Sequence, residues 1–555
     1  MHLKRIKIDD FRNLKNFEIN FTQFEIDTNT GEEKKIQTHA IIGQNGAGKS
    51  NLLEAIITIF RDIDLDNKAS FDYELDYVIG HDKNDIKIIA KKGEKAKVLV
   101  NNKIEEQNIL LKNENSYLPR HIFTYYSGKN ERIEKLFLDH QKKYLNLFRN
   151  GKDELMRRLF YCRNGHNQLV LLSAMLSKDL EFKKILKDLN ILELDSALFV
   201  LKQPYYLKNN TTEKSILDGD NRFWYARGTV VDEFLDKLWN LSIAPIDDIS
   251  DQQVDFKGRT EKQKRLYLYL KDKTSLEKLG EDIPPQMFFR YAEGAYIGDL
   301  IEEIKITVKY KDSNGNISFS QLSEGEIQLL MVLGLMRITH EDDCLFLLDE
   351  PDTHLNPIWK LRYFEEIEKV IKKDDTATLQ GDSQIIITTH DPMMIGSLKR
   401  QQVRIMKKNI NGSIVETPEE HPQGMGVSGL LKSEMFGLSS TLDRPTLELL
   451  NERNTLIAKK QKDGLSDNES TRLKNLRDYL EDLGFSREYR DPLYQKFIEK
   501  MFEVRSLSEE QLYSKEELEK QEALAEAIVK ELVKKEQMDE LSLLAKELKI
   551  QLGSK

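Results

Sequence analysis

The chain has 555 residues, 39% of them hydrophobic and 32% charged, with a net charge of −10 at neutral pH. That length asks for two or three domains rather than one core, and the acidic balance excludes a global basic field of the kind that gathers nucleic acid. No apolar run is long enough to cross a bilayer, and two cysteines, Cys162 and Cys344, furnish neither a disulfide framework nor a cysteine metal cluster.

The N-terminus, MHLKRIKIDD, alternates polar and apolar residues and lacks the apolar stretch of a secretory leader, so a cytoplasmic location is expected. Residues 1–128 read as strands and hairpins around one chemical motif. In HAIIGQNGAGKSNLLEAIITIF, Gly43 to Ser50 fit G-x-x-x-x-G-K-[ST]. The preceding HAIIG is strand-like, and Leu52, Leu53, Ile56, Ile57 and Phe60 share one face of a following helix. A glycine-rich turn matching by chance would lack these flanks. Gly43, Gly46 and Gly48 permit a tight wrap whose N–H groups point at phosphates. Lys49 is expected on the β- and γ-phosphates of ATP and the Ser50 hydroxyl on Mg2+; Asn45 and Asn51 are counted with the nucleotide-binding residues. Farther on, DIKIIAKKGEKAKVLV reads as a hairpin turning at Gly93 and Glu94.

Residues 129–295 read as a mostly helical insertion carrying Trp224 and Trp239. Within it, NQLVLLSAMLSKDLEFKKILKDL fits an amphipathic helix with a neighbour and shows no sustained heptads. The stretch RRLFYCRNGH, Arg157 to His166, mixes arginine with aromatics; a solvated helix face over core aromatics explains it more cheaply than a nucleic-acid patch.

Residues 296–425 return to the pattern of the first segment. IKITVKYKDSNGNISFS reads as a hairpin with its turn at Asn314 and Gly315. LSEGE then opens an apolar helix through Ile327, Leu330, Met331, Gly334 and Leu335. In CLFLLDEPDTHLNP, Cys344 to Leu348 form an uninterrupted apolar strand, the pattern of one covered on both faces, followed by Asp349 and Glu350. A lone Asp-Glu pair would be ordinary surface acids. Coupled to a full phosphate loop, Asp349 is expected to hold Mg2+ through water and Glu350 to orient and polarise the attacking water. A further strand, in SQIIITTHDPMM, ends at His390, where an imidazole is placed to donate to the γ-phosphate. None of the ten histidines has zinc or HNH-nuclease spacing.

The tail, residues 426–555, is helical in pattern and a candidate partner-docking region. TLELLNERNTLIAKKQ and TRLKNLRDYLEDL make a helical hairpin, with a capping box at Ser466 and Glu469 and a stop at Gly484. A last segment, capped at Ser514 and Glu517, carries an apolar stripe from Leu518 to Leu548 that must be covered by its own head or by a partner.

Taken in order, the phosphate loop, the LSEGE helix, the strand with DEP, the D-T-H-L-N-P loop and the strand ending in histidine resemble the ABC-type ATPase cassette. The fold class this implies is α/β: a head with a mixed sheet and P-loop, a mainly helical insertion between Walker A and signature, and an α-helical C-terminal region. In that family the signature of one subunit caps the nucleotide of another. The resemblance therefore implies a homodimer or higher homo-oligomer, with Ser323, Gly325 and Glu326 meeting ATP held by the partner copy. Glu324 stands where the usual signature has its second glycine, as it often does in RecF and SMC relatives. IKIDDFRNLKNFEINF is similar to the first strand pair of the RecF, SMC and OLD-like branch, which implies that Arg12 approaches the phosphates. Where that family has a glutamine loop, HIFTYYSGKNERI offers Ser127 and Asn130.

Roughly 270 positions separate Ser50 from Leu322, which disfavours a transporter cassette. No acidic nuclease domain is evident after His390. With MFGLSSTLDRPTLELL and YRDPLYQKF in the tail, the chain resembles the PtuA ATPases of Septu anti-phage systems, including the retron-associated version. That implies a regulatory ATPase controlling a separate HNH nuclease of the PtuB type and, in the retron setting, a reverse transcriptase with its DNA–RNA hybrid. A RecF-like DNA repair or replication ATPase that binds DNA directly is the alternative.

Overall fold

The apolar run Leu345 to Leu348 is buried because it lies inside a seven-stranded sheet with a core on either face. Across the sheet the order is Leu159–Tyr161, Ile122–Tyr126, Leu345–Asp349, Gln384–Thr388, Thr38–Gly43, Val403–Asn409 and Gly412–Glu416. The first six are parallel and the last returns antiparallel at one edge. Side chains alternate between the two cores as the strand period requires. Ile41, Leu345, Leu347 and Ile386 face the helix Lys49–Asp64 and a second, six-stranded sheet that contains His2–Phe11. Ala40, Ile42, Phe346, Leu348, Ile385 and Ile387 face the helices His166–Leu176 and Glu324–Thr339. Truncating one of these isoleucines, leucines or Phe346 to alanine costs about 2–5 kcal/mol, so the sheet is a stiff platform for whatever sits on its edge.

This computed structural model describes residues 1–483 apart from positions 23, 27–30, 32, 112–116, 129–130, 152–157, 164, 209–218, 254–259, 312–314, 340–342, 372–382, 411, 439 and 463. Asn130, Arg157, Asn314, Gly484 and the apolar stripe of the last segment lie outside the described residues. The chain divides into two units, Met1–Gly437 and Leu438–Lys555.

Within the first unit, the α/β character expected from the sequence is met. Among the described residues of 131–295 helix outweighs strand, with helices such as Leu138–Arg149, His166–Leu176 and Pro285–Ile297. Three long strands also run there, Ile191–Lys202, Ile246–Gln253 and Thr260–Leu270. They join Ile301–Tyr310 and Asn316–Ser318 in a five-stranded antiparallel sheet. Sequence pattern did not place them, because their many charged residues dilute the apolar alternation. The expected helix face around Arg157 to His166 is corrected as well. Leu159–Tyr161 is a short parallel strand, and Phe160 and His166 are buried against Phe289. Three residues are too few for a periodicity to reveal.

In the second unit, Arg444–Lys462 and Asp467–Asp482 form the expected hairpin. The Ser466 hydroxyl accepts from the Glu469 N–H while the Glu469 carboxylate accepts from the Ser466 N–H, closing the capping box. Ion pairs Arg472–Glu452 and Lys459–Glu469 tie the two helices together. Among the described residues no helix is long and apolar enough to cross a membrane.

Candidate functional site

The strand register puts the carboxyl ends of four parallel strands side by side. Tyr126 pairs with Asp349, Asp349 with Thr388, and Thr388 with Ile41, two residues before Gly43. Ligand chemistry gathers at such an edge because chain ends, helix N-termini and polar loops converge there. Here it collects the loop Gly43–Ser50, Ser127, Asp349, Glu350 and His390.

The loop wraps through glycines at φ of +146° for Gly43, +80° for Gly46 and +105° for Gly48. Gly43 is required by space too, since a Cβ there would lie 2.1 Å from the Met406 carbonyl oxygen of the adjacent strand. Gly48 caps the helix Lys49–Asp64, whose first N–H groups have no partner within the helix. Lys49 is buried, and its ammonium donates to the Gly43 carbonyl at 2.7 Å. Burial lowers its pKa, against the opposing pull of the Glu350 and Asp349 charges. Asn45 is exposed at the loop tip.

Asp349, 1% exposed, accepts a hydrogen bond from the Thr388 hydroxyl and has the Ser50 hydroxyl beside it. Burial raises its pKa, and those two hydroxyls offset part of the rise. Glu350 sits at φ +49°, an unfavourable conformation for a glutamate, and its N–H is held by the Thr388 carbonyl at 3.0 Å and hydroxyl at 3.2 Å. Its carboxylate meets His390 Nδ1 at 3.1 Å. The Ser127 N–H donates to the Asp349 carbonyl at 3.3 Å, and the Ser127 hydroxyl accepts from Thr353 at 3.1 Å.

A hydroxyl and a carboxylate side by side are the hard oxygen donors that Mg2+ takes when water and phosphate oxygens complete its shell, so Ser50 and Asp349 fit that ion. Among the described residues no group of three or more His, Cys, Asp and Glu side chains forms a self-sufficient metal site.

Arg12 stands at φ +57° and donates to Glu54 at 2.7 Å; Glu54 lies one turn after Ser50 on the same helix. The neighbouring residue is one that sequence reasoning missed. The Asn13 amide donates to the Gly46 carbonyl at 3.2 Å and the Ser413 hydroxyl at 3.0 Å, and its oxygen accepts from Asn51 at 2.5 Å. Ser413 in turn donates to the Ala47 carbonyl at 2.6 Å. The loop is thus braced from outside by the first hairpin and the last strand of the sheet. Asn13 had a weak signal beside Arg12 in the F-R-N turn; Ser413 had none, being far away in the chain.

The signature segment has its own geometry. The Ser323 hydroxyl donates to the Glu326 carboxylate at 2.7 Å and accepts from its N–H at 3.3 Å, and the Ser323 N–H donates to the same carboxylate at 2.8 Å. This reciprocal cap starts the helix Glu324–Thr339. A Cβ on Gly325 would lie 2.5 Å from the His354 carbonyl oxygen, so glycine is what lets the helix start seat on the loop after Glu350. The His354 N–H donates to Gln328 at 3.1 Å, and a cavity of about 450 Å3 opens between Ser323, Gly325, His354 and Trp359. Among the described residues, the side-chain hydrogen bonds of Ser323 and Glu326 stay within this segment and on Tyr310; none reaches the phosphate loop.

A family model described as an AAA ATPase domain matches residues 1–395. Among characterised proteins, the Septu protein PtuA of Bacillus mycoides (strain KBAB4) is 25% identical over 199 residues, which is 34% of this chain and 26% of that protein. The Retron Ec83 probable ATPase of Escherichia coli is 27% identical over 161 residues, 26% of each chain. The matched part thus spans about a quarter of either relative's length. Among solved structures, an SMC head domain from Thermotoga maritima aligns with a TM-score of 0.31 at 11% identity, covering 76% of this chain and all of that one. The recombination mediator protein RecF aligns with a TM-score of 0.29 at 17% identity, covering 75% of this chain and 98% of that one.

Proposed function

Because this chain belongs to the AAA ATPase domain family, we propose that it binds ATP with Mg2+ on the loop Gly43–Ser50 and hydrolyses it to ADP and phosphate. The observation that carries this reading is the convergence of Lys49, Ser50, Asp349, Glu350 and His390 on one edge of adjacent parallel strands. Backbone N–H groups of the loop and the helix start cradle the phosphates, with Asn45 and Asn51 at its rim and Arg12 approaching from the first hairpin. Lys49 exchanges its loop carbonyl for phosphate oxygens. Ser50 and Asp349 would hold Mg2+, which supplies neutralisation of phosphate charge. Glu350 takes a proton from the attacking water, and His390, hydrogen-bonded to it, holds that carboxylate and faces the terminal phosphate.

The cap of the site comes from a second copy on this reading. Ser323, Gly325 and Glu326 form a partly exposed helix start whose side-chain bonds are local, which leaves it available to a triphosphate held elsewhere. Residues 1–128 and 296–425 make up the ATPase head, 129–295 the insertion, and 426–555 a partner-docking tail. The likeness to the Septu protein PtuA and to a retron ATPase supports a regulatory subunit in an anti-phage complex, controlling a separate HNH nuclease of the PtuB type, with a retron reverse transcriptase and its DNA–RNA hybrid as further partners. ATP can drive such control only by binding open and closed pairings unequally.

The test is Mg2+-dependent ATP turnover by the full chain beside Lys49→Ala, together with co-purification of an HNH protein expressed with it. Turnover lost in the variant and nuclease retained on the column is the expected result. No turnover by the unaltered chain with Mg2+ overturns the enzymatic reading, and no capture of the nuclease overturns the regulatory one.

A further inference from the structure

The helix that starts at the phosphate loop buries a carboxylate on the side away from its apolar stripe. Glu54 is 1% exposed, and lies one turn from Ser50 on the same face. A charge in that position is costly unless compensated, and two arginines from different loops compensate it. Arg12 donates to one oxygen at 2.7 Å, and Arg132 Nε lies 3.8 Å from the other. Two guanidiniums on one carboxylate leave that cluster with a net positive charge, one turn along the helix from Ser50.

Arg132 reaches this place for a topological reason. It follows the strand Ile122–Tyr126, whose last residue pairs with Asp349, so the loop leaves the sheet at the edge where the carboxylates sit. The stretch SGKNERI has no glutamine to offer the site. Its arginine, though, pairs with the buried carboxylate that lies one turn from Ser50. The side chain is one-third exposed.

We propose that Arg132 is a catalytic cation of this site, donating to the terminal phosphate of bound ATP as it is transferred, and that Glu54 is the residue that positions it. This rests on the ATPase reading above. In the step, the water oxygen forms a bond to the terminal phosphorus, and the bond from phosphorus to the bridging oxygen breaks with its electron pair passing to ADP. The water proton goes to Glu350. Negative charge spreads over the phosphoryl oxygens and the bridging oxygen, and a fixed guanidinium stabilises it more than the ground state. An arginine held by a buried carboxylate is preorganised for this, with a planar fork that lysine cannot copy.

The experiment compares the full chain with Arg132→Ala, Arg132→Lys and Glu54→Gln, measuring ATP turnover, the ratio of ATP to ADP affinity by fluorescent-nucleotide displacement, and rescue by added guanidinium chloride. Arg132→Ala is expected to turn over ATP about 100-fold more slowly, to lose several-fold of its preference for ATP over ADP, and to regain part of its turnover with guanidinium. Arg132→Lys should stay well below the unaltered chain, and Glu54→Gln should slow turnover about tenfold with thermal stability retained. Arg132→Ala within threefold of the unaltered chain in both turnover and nucleotide preference overturns the proposal, as does a turnover loss that guanidinium leaves untouched. If the unaltered chain has no turnover, the ATPase reading falls, and the affinity ratio alone decides whether Arg132 senses the terminal phosphate.

Discussion

Glu350 and His390 meet across the ends of two adjacent parallel strands, with His390 Nδ1 3.1 Å from the Glu350 carboxylate. The backbone at Glu350 is held at positive φ by Thr388, so the contact is built into the sheet edge rather than left to two mobile side chains. Two groups that act as one unit lose function non-additively. Glu350→Gln is expected to reduce single-turnover hydrolysis by at least about 100-fold while ATP still binds. His390→Ala should cost about tenfold, and the double variant should be no slower than Glu350→Gln. A double variant slower by the product of both factors would separate the roles.

Gly43 and Gly46 offer a controlled comparison in one loop. Alanine at Gly46 meets open space and suffers only its positive φ, whereas alanine at Gly43 is driven into the Met406 carbonyl. Gly46→Ala should cost about 1–2 kcal/mol of local stability. Gly43→Ala should lower the melting temperature by several degrees more and weaken nucleotide binding at least about tenfold. Equal melting curves for the two variants would refute the argument from space.

The proposal that two copies share the nucleotide pocket is tested by mixing experiments. Ser323→Ala and Lys49→Ala should each be inactive alone. Mixed in equal amounts, they should recover about a quarter of normal turnover, because half of randomly formed pairs are mixed and each mixed pair has one complete site. Absence of any recovery, with subunit exchange verified by labelled chains, would place both halves of the pocket in one copy.

His39 makes stability depend on pH. It is wholly buried on the phosphate-loop strand, its Nε2–H donating to the Thr22 carbonyl at 2.9 Å and its Nδ1 accepting from Gln384 at 3.3 Å. Burial, aided by the Arg404 charge, pushes its pKa down to about 3, against the Thr22 carbonyl. The unfolded imidazole binds a proton below pH ~6.5 and the folded one does not, so this stability is present above that pH and drains away toward pH 3. The loss between pH 6.5 and 5 should be about 2 kcal/mol. Denaturant midpoints at those two pH values should differ less for His39→Gln than for the unaltered chain; an identical slope would show that other groups carry the effect.

What the sequence determined by itself was everything with short-range grammar. The strand, glycine turn and helix of the phosphate loop occupy contiguous residues, so their periods and φ demands are written together. The same holds for the apolar strand before Asp349, for the strand that leads to His390, and for the capping box at Ser466. Only the tertiary structure decided what depends on register and on distant residues. Asn13 and Ser413 brace the phosphate loop, Glu54 gathers Arg12 and Arg132 one turn from Ser50, and three charged strands of the insertion pair into a sheet. Such contacts leave no local trace. A hydrogen bond is satisfied by any donor at the right point in space, and that point is set by how sheets and loops close rather than by the identity of neighbours in the chain.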